Sequence, residues 1–286
     1  MKNIVKNINI YMLILVSLIL PFIFTACKPK PPAEDEEPKI EFNWSDYRSY
    51  AHAFGGIEGY TYTNSIEAFE LNYAKGFRLF EVDLTLSAEG ELILIHSEIH
   101  ENQFFGLSYL GYKNWEHIPY DVFMDIKIFG KFTPLDVHDL AQLLEDYDDI
   151  FIITDTKYMN PTLIEKQFKR LAEVIGPKNI DRIIPQCYTL EMYDIVQSIY
   201  NFKNCTLTTY NSAITVDQII EGLKTRPYIT AVVKPWSDPR LNTTLINELG
   251  KLNIPVWAHT IDDMNLWNNL KEKGVKGICT NELFIE

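Results

Sequence analysis

The chain is poor in cysteine and in positive charge. Its four cysteines among 286 residues, Cys27, Cys187, Cys205 and Cys279, show no metal-ligand spacing and do not form the dense framework of a disulfide-stapled fold. The last three are expected as buried small hydrophobes. Lys and Arg number 26 against 39 Asp and Glu, a formal net charge of −13, which argues against non-specific nucleic-acid binding. No Pro-rich or polar break interrupts the chain after about residue 46, so a second, linker-joined domain is not expected. The longest apolar run also falls short of the roughly 20 residues that a bilayer crossing needs.

That run, Ile8 to Ile23, contains Pro21, follows Lys2 and Lys6, and leads through Thr25 and Ala26 to Cys27. This is the order of a cleaved export signal over residues 1–26. Phe-Thr-Ala-Cys at 24–27 resembles a bacterial lipoprotein processing site, which implies a lipid on Cys27 and a protein held at the cell envelope outside the cytoplasm. Residues 27–46 are expected as a flexible tether, because the prolines and charges of KPKPPAEDEEPK favour an extended, solvated chain. Residues 47–286 then form one domain.

In that domain extended apolar runs alternate with amphipathic stretches: SYAHAF, FRLFEVDL, IFIITD, RIIPQ, CTLTTY, ITAVVK, IPVWAH and GICT, with segments such as LIEKQFKRLAEVIG between them. Such alternation predicts an α/β fold, and a closed (β/α)8 TIM-like barrel explains the repetition without exposed sheet edges. ELILIH is a ninth run, too close to FRLFEVDL for a covering helix, and is expected as the second arm of a short β-hairpin. A two-residue turn centred on Ala88-Glu89 would set His96 opposite Glu81. Ser97 to Thr133, with glycines, aromatics and no period, reads as a long loop over the active rim.

Glu81 and Asp83 lie two apart on one strand and point to one face, inward in a barrel. Buried carboxylates must be paired with cations such as Arg78 or Lys157 or must bind a metal, and oxygen donors suit Mg²⁺ or Ca²⁺. Asp155 and Lys157 repeat the spacing, as a further metal ligand and a point charge for phosphate, or as an internal ion pair. His52 and His96 end two other strands, which places titratable groups around the same rim.

At these residues the stretch from Ala51 to Glu98 resembles the opening of the glycerophosphodiester phosphodiesterase family, relatives of the phosphatidylinositol-specific phospholipases C. The resemblance rests on His52, the Asn64-Ser65 helix start, Glu81-x-Asp83 and His96 fifteen residues after Glu81, and continues in ITDTK, WAHTIDD and GVKGICTNE. It implies metal-dependent hydrolysis of phosphodiesters, with Glu81, Asp83 and Asp155 on the metal and His52 and His96 as base and acid. Three positions depart from the family: Ala53 replaces an Arg, Thr63 a Glu and Asp155 a Glu. The first removes a phosphate contact that Arg78 or Lys157 would have to supply. Asp155 with Lys157 also resembles the sphingomyelinase D branch, and Ala53 and Thr63 suit a non-catalytic lipoprotein that binds a phosphorylated ligand.

Overall fold

The structure, a computed structural model, describes residues 41–96, 118–156, 158–209 and 212–286. Eight parallel strands close into a barrel: β1 (Ser49–Ala51), β2 (Leu79–Leu86), β4 (Phe151–Thr156), β5 (Ile183–Cys187), β6 (Cys205–Thr208), β7 (Ile229–Pro235), β8 (Val256–His259) and β9 (Gly277–Thr280). Closure is shown by β1, which pairs in parallel with both β2 and β9. Strand β3 (Leu92–Leu94) adds to β2 in antiparallel sense. The helices are α1 (Ile66–Lys75), α2 (Tyr120–Asp125), α3 (Val137–Asp146), α4 (Pro161–Asn179), α5 (Leu190–Ile199), α6 (Val216–Leu223), α7 (Thr243–Lys251) and α8 (Met264–Glu272). Seven of them start on a side chain that accepts a backbone N–H of the first turn: Ser65, Asp136, Asn160, Thr189, Thr215, Asn242 and Asp263. These short polar residues satisfy donors that the helix itself cannot, which fixes where each helix begins.

The strands bury both faces, as parallel strands between helices and lumen must. One core packs strands against helices, for example Phe80, Leu84, Ile152, Leu207 and Val232 against Phe69, Phe168 and Leu245. A second fills the lumen with Tyr50, Leu79, Phe151, Ile153, Ile184, Val233, Trp257 and Cys279. Cys187, Cys205 and Cys279 are buried free thiols, as expected.

Phe42 and Trp44, within the span expected as tether, pack against the lumen core. Phe42, Trp44 and Tyr47 close the barrel at the amino ends of its strands. The Trp44 ring lies 5.0 Å from Trp257, its Nε1 donates to Thr230 Oγ1 at 2.9 Å, and Phe42 packs 4.9 Å from Phe151. An open barrel end would leave lumen side chains in water, and these aromatics remove that cost.

Two further expectations change. The β2–β3 hairpin pairs Leu84 with Leu94 and Leu86 with Leu92, one residue out of the register that would set His96 against Glu81. Its loop has three residues, Ala88 to Gly90, closed by a 2.8 Å bond from Ser87 N–H to the Glu91 carbonyl. Gly90 takes the left-handed position at φ 93°, which a two-residue turn lacks. Within the segment expected as rim loop, residues 118–133 instead form α2 and a tight turn, with Ile118, Phe123, Ile128 and Phe132 in the core. Residues 97–117 lie outside the described residues.

Trp44→Ala is expected to lower unfolding free energy by about 3–5 kcal/mol, as for other buried aromatics. Urea denaturation checks this; a loss under about 1 kcal/mol would return Trp44 to the tether.

Candidate active site

Parallel pairing brings the acidic residues together. Asp83 on β2 is in register with Asp155 on β4, and Glu81 lies two residues before Asp83 on the lumen face. Glu81 is 2%, Asp83 0% and Asp155 6% exposed. One carboxylate oxygen from each lies within 4.8 Å of the others. At that spacing, away from solvent, three negative charges repel strongly unless positive charge compensates them.

The loop between β1 and α1 holds two of the three. Ala53 donates its backbone N–H to Glu81 Oε2 at 2.8 Å. Asn64 donates Nδ2–H to Asp83 Oδ2 at 2.9 Å and accepts the Asp83 N–H on Oδ1 at 3.0 Å. To do so the loop adopts positive φ at Ala53 (49°), Phe54 (66°), Tyr62 (61°) and Asn64 (46°). This strain for non-glycine residues is offset by surrounding bonds, such as Asn72 Nδ2–H to the carbonyls of Phe54 and Gly56 at 2.9 and 3.2 Å. Gly55 at φ 90° is required here, because a Cβ would sit 2.4 Å from Asn72 Nδ2. Asp155 accepts from the Tyr188 hydroxyl at 2.6 Å. All three of these donors are neutral. Beneath the cluster, burial pushes the Tyr50 hydroxyl and the Cys279 thiol well up, so both stay uncharged.

His52 is oriented from the last strand. Asn281 donates Nδ2–H to Asp262 Oδ2 at 2.7 Å, so its amide oxygen faces His52 Nδ1 at 3.1 Å. That assignment puts the ring proton on Nδ1 and the lone pair on Nε2, 3.9 Å from Glu81 Oε2. Asp262 also accepts from the Thr280 hydroxyl and the Asn281 N–H. Tyr62 stands edge-on between the imidazoles, 4.6 Å from His52 and 4.7 Å from His96. Burial raises the Tyr62 hydroxyl, so it remains a neutral spacer.

Of the residues picked from sequence, Glu81, Asp83, Asp155, His52 and His96 gather at the carboxyl end of the barrel, whereas Arg78 does not. Arg78 immediately precedes β2, at the amino end, where its Nε donates to Asp149 at 2.6 Å. Its guanidinium also stacks on Tyr73 and donates to the carbonyls of Tyr73 and Phe77. The phosphate role expected of Arg78 is therefore withdrawn. Lys157 lies outside the described residues. Ala53 is fully buried and contributes only its backbone, and Thr63 is buried against the Ser65 hydroxyl at 3.0 Å. The sequence reading missed Tyr62, Tyr188, Asp262 and the bridging roles of Asn64 and Asn281. The Asn64-Ser65 helix start, the stretch WAHTIDD that contains Asp262 and the stretch GVKGICTNE that contains Asn281 gave the signals for three of them.

The sequence model of the glycerophosphoryl diester phosphodiesterase family matches residues 55–283. The chain belongs to this family. It is thereby a phosphoric diester hydrolase. No curated protein matches the chain. Solved structures agree on the fold. A Silicibacter pomeroyi protein classed as a glycerophosphoryl diester phosphodiesterase superposes with a TM-score of 0.69 at 14% identity, covering 82% of this chain and 90% of that one. An Oleispira antarctica phosphodiesterase, in complex with the product sn-glycerol-3-phosphate, gives 0.67 at 15% identity, covering 82% and 92%. A Parabacteroides distasonis glycerophosphodiester phosphodiesterase gives 0.65 at 16%, covering 82% and 92%.

Asn64→Ala removes the amide that bridges Asp83 to the loop of this family member. The expected loss is about 1–3 kcal/mol in metal-free protein, the cost of orphaning a buried polar partner. Denaturant titration checks it, and a change within about 0.5 kcal/mol would show that Asn64 does not hold Asp83.

Proposed function

We propose that the protein hydrolyses glycerophosphodiesters or phospholipid head groups, with a divalent cation on Glu81, Asp83 and Asp155 and acid–base catalysis by His52 and His96. The observation that carries this reading is the set of three buried carboxylates within 4.8 Å of one another. Their geometry fits a hard divalent ion: the donors are carboxylate oxygens, they are buried and they converge. Mg²⁺ and Ca²⁺ both suit such a set. A bound ion supplies positive charge for the phosphoryl oxygens.

The rest belongs to the chain. Ala53 N–H, Asn64 and Tyr188 hold the carboxylates so that their oxygens stay convergent. Asn281 and Asp262 keep the His52 proton on Nδ1, so Nε2 takes a proton from the attacking water or hydroxyl. His96, held against Tyr62 on the other side, returns a proton to the leaving alkoxide. Arg240 is unsuited to the phosphate: its guanidinium donates to Asp238 and to the carbonyls of Thr209, Ser212 and Ile214. With Arg78 distant and Ala53 in place of the family's arginine, Lys157 is the proposed phosphate contact.

The Oleispira enzyme binds sn-glycerol-3-phosphate as product, and the same product is proposed here. A sphingomyelinase-D-like activity and a non-catalytic phosphate-binding lipoprotein gain no support from the relatives named above. The export signal and a lipid on Cys27 place this activity at the cell envelope in the proposal. No described helix is long and apolar enough to cross a membrane.

After chelation, activity on glycerophosphoethanolamine should fall to background and return with Mg²⁺ or Ca²⁺, read as released sn-glycerol-3-phosphate. Glu81→Gln should abolish the metal response. His52→Ala and His96→Ala should each cost about 10²–10⁴-fold in kcat while metal affinity stays near wild type. Turnover that survives chelation, or survives Glu81→Gln, contradicts the proposal.

A further inference from the structure

We infer that Thr208, with Thr206 one pleat deeper, forms a wall of the active site that recognises the hydroxyl groups of the substrate's alcohol. This rests on the phosphodiesterase reading above and adds to it a specificity element on a strand that supplies none of the acid–base or metal groups.

Residues Cys205 and Leu207 of β6 pack in the core between strands and helices. By the two-residue alternation of a strand, Thr206 and Thr208 therefore face the lumen. Both are fully buried, and among the described residues neither Oγ1 has a hydrogen-bond partner. A buried hydroxyl without a partner is costly and calls for a ligand or ordered water. The deficiency alone does not make a site, since Thr154, which faces the helices, and Thr85, two residues beyond Asp83 on β2, share it. Strand β6 differs in carrying two such hydroxyls in succession on its lumen face.

Register links Asp155 to Gln186 and Gln186 to Thr206. In an eight-stranded barrel the strands stagger by about one residue from each to the next. Over the two steps from β4 to β6 this raises the level of Asp155 from Thr206 to Thr208. Thr208 thus stands level with the carboxylates, and Gln186, 7% exposed and on the lumen face with Ile184, lies between them. In the ring of strands β6 is also opposite β1, whose end carries His52. An alcohol bonded to a phosphate on the carboxylates would cross the lumen from His52 toward Thr208.

The chemistry of the wall selects its ligand. A threonine hydroxyl both donates and accepts, and so does each hydroxyl of a polyol such as glycerol. A quaternary ammonium offers neither a donor nor an acceptor. The wall therefore recognises the hydroxylated alcohol of the diester and is indifferent to an aryl or quaternary-ammonium group.

The test compares two substrates on the full chain with metal present: glycerophosphoethanolamine, which carries glycerol hydroxyls, and bis(p-nitrophenyl) phosphate, which carries none. Thr208→Val, nearly isosteric, should lower kcat/KM for the first about tenfold or more, chiefly through KM, and leave the second within about twofold. Thr208→Ser should restore the first. Thermal melting guards against a folding defect: without ligand, Thr208→Val should melt at or above the wild-type temperature, because it loses a hydroxyl that has no protein partner. With sn-glycerol-3-phosphate added it should gain less than wild type. Equal losses on both substrates, no loss on either, or a melting temperature well below wild type would overturn the inference. A wild-type enzyme active on bis(p-nitrophenyl) phosphate but not on the glycerol diester would overturn it together with the proposed substrate. One inactive on both would end the phosphodiesterase reading itself.

Discussion

Mutual repulsion among Glu81, Asp83 and Asp155 is the constraint on which the rest of the structure depends. Three carboxylates that close, with at most 6% exposure, repel one another strongly unless positive charge compensates them. The protein nevertheless brings backbone and side-chain donors to them at 2.6 to 2.9 Å. Each donor fixes an oxygen in place and keeps the three carboxylates convergent.

Holding the site costs conformational strain, and the strain is concentrated next to it. Five non-glycine residues from Ala53 to Asn64 take positive φ, two of them bulky aromatics, in the loop that joins β1 to α1. The same loop gives Ala53 N–H to Glu81, Asn64 to Asp83, and Tyr62 to the space between the histidines. The barrel supplies the rigidity: its lumen is filled by Tyr50, Ile153, Ile184, Val233 and Trp257, and its lower end is stoppered by Trp44. The hydrogen bonds from Asn72 to the carbonyls of Phe54 and Gly56 tie the loop to that rigid base and so hold its side chains in place.

Much of this was legible in the residues themselves. Two-residue spacing in Glu81-x-Asp83 and the repeated alternation of strand and helix lead directly to inward carboxylates at the carboxyl end of a barrel. Asp155 follows because parallel neighbours in register bring their ends to one rim. Arg78 failed for a reason that strand geometry contains: it precedes Asp83 by five residues, about 16 Å along a strand, and so belongs to the other end. The hairpin register failed because one residue in the turn, Gly90 at φ 93°, shifts every pair. Trp44 was hidden because the aromatics Phe42, Trp44 and Tyr47 are interspersed with polar residues and follow neither a strand nor a helix period. The roles of Asn281 and Asp262 were hidden because Asn281 acts on a histidine 229 positions away in sequence and Asp262 acts through Asn281, and that of Asn64 because it depends on a loop conformation that residue type alone does not specify.

The central claim is that the three carboxylates exist to bind one divalent cation. A crystal soaked with Mn²⁺ in place of the native ion, measured for anomalous scattering, tests it most directly. The account predicts a single strong peak bonded to oxygens of Glu81, Asp83 and Asp155, lost in Glu81→Gln crystals. Well-ordered carboxylates with no peak among them, or a peak bonded elsewhere, would contradict it.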